Sequence, residues 1–310
     1  MQHVLSRFLP AAALLLALSL GCTQAFGSYA IYVGKNLSAD GSVLIGGSGD
    51  EVSSHWLEIV PAGTHAVGST VTVGVTAEAE TPGRLIEIPQ ARQTFRFLTM
   101  NYSDYKGFPA PLTNGGLNEH GVAARDVWSP SRKELVAMTP RPQSGPQYSD
   151  LSRIAMQRAR TAREAVEIVG ALIDAHGYSD YGGNSHMFAD RNEGWVLIEF
   201  AGGKGLWIAE RLGPDDVRIS YPGYIREIPL DFQKSRDFMG SKNFISFAVE
   251  QGWFDPAAGK PFDVNSVYSV GKERYPRSAM EQELRAAAPI DLRRMMDAVR
   301  DPRISADTTG

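Results

Sequence analysis

Apolar positions recur with two different periods along the chain, and the change of period divides it. Short runs rich in β-branched and aromatic residues lie at Tyr29–Gly34, Ser42–Gly47, His55–Pro61, Thr70–Val75 and Arg84–Pro89, the composition and length of strands, and they read as one sheet system. Between the first two, Asp40-Gly41 is a dipeptide that tolerates positive φ, so the opening is expected to be a β-hairpin. From Leu151 to His176 the spacing becomes helical. Leu151, Ile154, Ala155 and Arg158 share one face, and Ala165, Ile168, Val169, Leu172 and Ile173 another, which predicts two helices or one broken helix. Thr161 and Glu164 have capping-box spacing, and Gly177 stands where a helix end needs a left-handed residue.

Strand patterns return at Gly194–Phe200, Gly205–Leu212 and Asp216–Tyr221, with helical patterns near Asn243–Gln251 and Leu292–Val299. Strands, then helices, then strands argue for an α+β fold with antiparallel sheets covered by helices, and against a doubly wound parallel sheet.

The first residues carry a different signal. Arg7 precedes the apolar run Ala11–Leu20, and small residues follow, the layout of a secretory signal over residues 1–27. Export to a periplasmic or extracellular destination is expected. Cleavage before Cys22, before Phe26 or before Ser28 fits the small-residue rule equally, and lipid anchoring through Cys22 is a further alternative. With one cysteine, the chain cannot form an intramolecular disulfide, so packing must supply its stability. A formal charge of −4 gives no basic surplus for nucleic acid, which leaves a small molecule or peptide as the expected partner.

Common catalytic signatures are missing: no His-Glu-x-x-His, no Cys-x-x-Cys, no phosphate-binding glycine loop and no Gly-x-Ser-x-Gly. The six histidines lack ligand spacing, and no metal or organic cofactor is expected. What remains is an ordered set of glycine-punctuated segments: "SYAIYVGKNLSADGSVLIGGSGDE", "NGGLNEHGVA", "TAREAVEIVGALIDAHG", "NSHMFADRNEGWVLIEF" and "GGKGLWIAERL".

In this order they resemble the dipeptidase-A-like peptidases over about Ser28 to Tyr224. Those peptidases are related to the choloylglycine hydrolases and penicillin acylases. The resemblance implies a four-layer αββα sandwich of the N-terminal-nucleophile type over residues 28–310. Relatives of that kind continue well beyond the position of Gly310, so the last residues read either as a frayed tail or as the end of a C-terminally truncated domain. The implied substrate is a dipeptide or small amide. The first residue of the mature chain would attack the carbonyl while its own α-amine, with an ordinary pKa of about 7.7–8.0, takes the proton.

Matched on Val33-Gly34-Lys35, the family's cysteine falls on Ser28, with Cys22 as the alternative nucleophile. The family's Arg-Asn-x-Asp element reads Gly47-Ser48-Gly49-Asp50, so Asp50 would orient the amine or nucleophile while the arginine is missing; Arg125 is the candidate substitute. Asn184, and after it Asn114, would donate to the oxyanion. An inactive relative that binds peptides or cell-wall fragments, and an acylase acting on a non-peptide amide, are the competing readings.

Overall fold

The computed structural model describes residues 29–48, 53–220, 225–269 and 277–301. The expected signal segment, Cys22, Ser28, Asp50 and the last nine residues lie outside them. Strand β1 (Tyr29–Val33) is buried along its whole length, as its unbroken apolar run requires. It turns through Gly41, whose φ of 76° suits a residue without a Cβ, into β2 (Leu44–Ser48), forming the expected hairpin. The chain continues through β3 (His55–Val60), β4 (Phe97–Tyr102), β5 (Leu112–Asn118) and β6 (Ala123–Trp128).

Two helices follow, α1 (Tyr148–Arg158) and α2 (Ala162–His176). Gln147 caps the first by accepting from the Ser149 N–H at 2.6 Å. Thr161 caps the second by accepting from the Glu164 N–H at 3.0 Å, and Gly177 ends it at a φ of 83°. Then come β7 (Asn184–Ala189), β8 (Gly194–Glu199), β9 (Trp207–Leu212), β10 (Val217–Ser220) and β11 (Phe238–Gly240). The outermost helices are α3 (Arg277–Ala286) and α4 (Leu292–Val299).

These elements form two antiparallel sheets. The larger has eight strands in the order β11-β9-β8-β7-β6-β5-β4-β3, and the smaller has three, β10-β1-β2. Alternation along the strands sorts their side chains between layers. Phe188, Trp195, Leu197 and Trp207 on one face of the large sheet pack with Leu151, Ile154, Val169 and Ile173 of α1 and α2. Met187, Val196, Ile198 and Ile208 on its other face pack with Ala30 and Tyr32 of β1. The remaining face of β1, through Tyr29, Ile31 and Val33, meets Met280 and Met295 of α3 and α4. The order of layers is therefore helix, sheet, sheet, helix: the α+β, αββα arrangement expected from the sequence.

One expectation needs correcting. The opening segments do not share one sheet: β1 and β2 join the small sheet, β3 the edge of the large one, and Thr70–Val73 pairs with Ile86–Pro89 as a separate ribbon. The sequence pattern also left unassigned the stretch Phe97–Trp128, which supplies three adjacent strands of the large sheet. No helix among the described residues is long and apolar enough to cross a membrane.

Candidate active site

The small sheet is too narrow to cover the large one, and a groove opens where β2 ends its cover. Two adjoining hollows of 580 and 350 Å³ lie there, sharing Gly47, Gly116, Ala124 and Arg125. The smaller is also lined by His55, Met100, Asn114 and Gly115. A separate hollow of 240 Å³ lies on the far side of β1, among Ile31, Met280 and Leu284.

The position of Asn114 is set by an irregularity in β5. Thr99 pairs with Gly116 while Asn101 pairs with Thr113, so Asn114 and Gly115 together face Met100 as a bulge. Gly115 adopts a φ of 125°, and a Cβ there would come within 2.0 Å of the Ala124 carbonyl oxygen, so only glycine fits. Buried hydroxyls hold the bulge. Thr113 Oγ1 accepts from the Gly115 N–H at 2.9 Å, and Thr99 Oγ1 lies 2.5 Å from Thr113 Oγ1 and 3.1 Å from the Gly115 carbonyl. Pairing between β5 and β6 extends only to Gly115 and Arg125. The strands part beyond that point, and Asn114 is left on the groove wall, 5% exposed.

Arg125 faces the small sheet from β6. Its Nε stands 3.1 Å from where a Cβ on residue 47 would be, and that same Cβ would lie 2.4 Å from the Tyr29 carbonyl oxygen. Glycine at position 47 therefore lets the guanidinium approach the β2 backbone closely. Arg125 Nη1 donates to the Asn114 carbonyl at 3.0 Å and to Asp126 Oδ1 at 3.0 Å. Burial pushes the Tyr29 hydroxyl pKa up, and the Arg125 charge partly opposes it.

Asn184 lies on the other face of the large sheet. Its cross-strand neighbour is Glu199, and it shares its face with His186 and Phe188, which turn toward α1. It is fully buried; Oδ1 accepts from the Tyr181 hydroxyl at 3.0 Å and Nδ2 donates to Glu199 Oε1 at 3.1 Å. The structure thus gathers Gly47, Asn114 and Arg125 at the groove and sets Asn184 apart from them, in a network the sequence reading missed. Within it His186 Nδ1 lies 3.0 Å from Glu199 Oε1, and Nε2 lies 3.1 Å from the Tyr148 carbonyl. Both His186 and Glu199 are wholly buried. Burial alone would lower the His186 pKa, but the Glu199 charge and, further off, that of Asp126 outweigh it and hold it above the ordinary imidazole range.

Ser28 and Asp50 lie outside the described residues, one position before β1 and two after β2. The paired ends of those strands are described: Tyr29 opposes Ser48, and Ala30 opposes the groove residue Gly47.

With that geometry in view, comparison with known proteins decides the family. The model of peptidase family C69 matches residues 27–279, most of the chain. The chain belongs to peptidase family C69. Among relatives of this C69 chain, a probable dipeptidase of Salmonella dublin is 25% identical over 266 residues, covering 83% of the chain and 58% of the relative. A probable dipeptidase A of Streptococcus pyogenes serotype M1 is 24% identical over 234 residues, covering 72% and 45%. The C69 chain thus spans about half the length of these curated relatives. A solved mutant of the conjugated bile acid hydrolase from Clostridium perfringens aligns at a TM-score of 0.45 and 10% identity, covering 88% of this chain and 78% of the other.

Proposed function

We propose that the chain is an exported dipeptidase that cleaves its substrate through an acyl-enzyme on the first residue of the mature protein, Ser28. The observation that carries this reading is the placement of β1. Ser28 is one peptide unit, about 3.8 Å between Cα atoms, from Tyr29, and the pairing next to Tyr29 ends on Gly47 at the groove. Gly47 lines the groove together with Asn114 and Arg125, which supports a nucleophile supplied by the residue that leads β1.

Signal cleavage after Gly27 frees the α-amine of Ser28, which accepts the hydroxyl proton as the oxygen attacks the scissile carbonyl and returns it to the leaving amine. Water then adds to the ester and releases the acid. Asp50 orients the amine by a charge-assisted hydrogen bond. The oxyanion donor is assigned to Asn114, on the groove wall, in preference to Asn184, which lies on the other face of the large sheet. Membership of family C69 and the dipeptidase names of its relatives support the reaction class.

The test is mass spectrometry of the mature N-terminus of the exported protein, together with hydrolysis of alanyl-alanine. A chain beginning at Ser28 with a free amine, inactivated by Ser28→Ala, is the expected result. A chain beginning at Cys22 moves the nucleophile there. A chain beginning elsewhere, or hydrolysis that survives Ser28→Ala, ends the proposed mechanism.

A further inference from the structure

We propose that Arg125 anchors the free α-carboxylate of the peptide's C-terminal residue in the smaller hollow, which it lines together with Gly47 and Asn114; this assignment rests on the peptidase reading above. Glycine at position 47 lets the guanidinium come close from the opposite sheet, its Nε 3.1 Å from where a Cβ would stand.

The guanidinium is already aimed. Nη1 is fixed by the Asn114 carbonyl and Asp126, while among the described residues Nε and Nη2 carry no hydrogen bond. These two groups form one edge of a planar fork, the geometry that grips both oxygens of a carboxylate. With Nη1 held, less rotamer freedom is lost when the free edge engages a ligand.

Among the described residues Arg125 supplies the one charged side chain that lines the smaller hollow. Asp190 lines the larger one, but its carboxylate is taken up by the N–H groups of Ala162, Asn192 and Glu193 at 2.8, 2.7 and 3.2 Å. The cationic fork therefore meets the acid end. Asn114 sits on the same wall, which sets the anchored carboxylate close to the proposed oxyanion donor and favours short substrates.

The experiment uses a reduced-amide analogue of alanyl-alanine, which cannot be hydrolysed, and the same compound with its carboxylate converted to a carboxamide. Each is titrated calorimetrically into the full chain and into Arg125→Gln and Arg125→Lys. The native chain is expected to bind the carboxylate about 10–100-fold more tightly than the carboxamide, the range for a hydrogen bond to a charged group. Arg125→Gln should bring the two within about twofold, Arg125→Lys should keep part of the preference, and carboxamide affinity should stay level across all three.

Equal binding of both ligands by the native chain, binding of neither, or a preference that survives Arg125→Gln overturns the anchor. Hydrolysis of alanyl-alanine is measured separately. A native chain that hydrolyses without discriminating loses the anchor and keeps the peptidase reading, and one that discriminates without hydrolysing does the reverse.

Discussion

The two ends of the large sheet are built from similar strands but meet different surroundings. In the half toward β11, strands β8 and β7 are buried at every residue, with helices on one face and the small sheet on the other. At the opposite end the edge strand β3 is exposed at every residue but Val60 and β4 is buried mainly on its helix side, and Leu57, Ile59, Leu98, Met100 and Leu117 face out beyond the small sheet, between 39% and 68% exposed. The same strand chemistry is core at one end and surface at the other because the second sheet has three strands against eight. The groove lies at the boundary, where apolar cover stops and Asn114 and Arg125 begin.

Substitutions can test how far this difference extends. Trp195→Ala, in the doubly covered end, should cost about 3–5 kcal/mol in urea unfolding, since the ring is wholly buried and its Nε1 donates to Glu193 at 2.9 Å. A loss below about 1 kcal/mol would mean that the covered end is not the stabilising one. At the boundary, Asn114→Ala should lower kcat for alanyl-alanine about 10²–10³-fold, whereas a rise in KM alone would make Asn114 a binding residue.

Thr113→Val removes the acceptor of the Gly115 N–H and should cost about 1–3 kcal/mol, with a fall in kcat as the bulge relaxes. Unchanged kcat would show that the bulge does not position the groove wall.

Buried on the covered side, the His186–Glu199 pair predicts a pH dependence. The folded-state pKa of His186 lies above its unfolded value, so its contribution to stability is present below the unfolded value, about 6.5, and is lost as pH rises through the higher folded value. Urea unfolding between pH 5.5 and 9 should show that decline, and His186→Gln should flatten it. The smallest effect belongs to Ile59→Ser at the open end, within about 0.5 kcal/mol; a larger loss would mean that this surface is covered in solution.

How much of this was legible in the sequence follows from the same contrast. The hairpin, α1, α2 and α4 were visible because each carries its own period and its own caps, local properties that survive without knowledge of partners. Phe97–Trp128 was not, because Asn101, Asn114, Gly115, Arg125 and Asp126 interrupt the alternation where the strands serve the groove. The close approach of Arg125 to Gly47 joins two strands that do not pair with each other, and no local pattern encodes it. Asn184 is different: Phe188, four residues on, shares its face and is plainly a core residue, so strand alternation alone sets that asparagine among buried neighbours.

The pairing of β1 with β10, and the packing of α4 against β2, also bear on the order in which the molecule is completed. The first strand has its second neighbour only once residues 217–220 are made, and its outer cover comes from Leu292–Val299. The large sheet through β9 can condense with α1 and α2 while that strand still waits. Such distant pairings close slowly and leave apolar edges open meanwhile. Refolding should therefore yield native-like circular dichroism well before a competent groove.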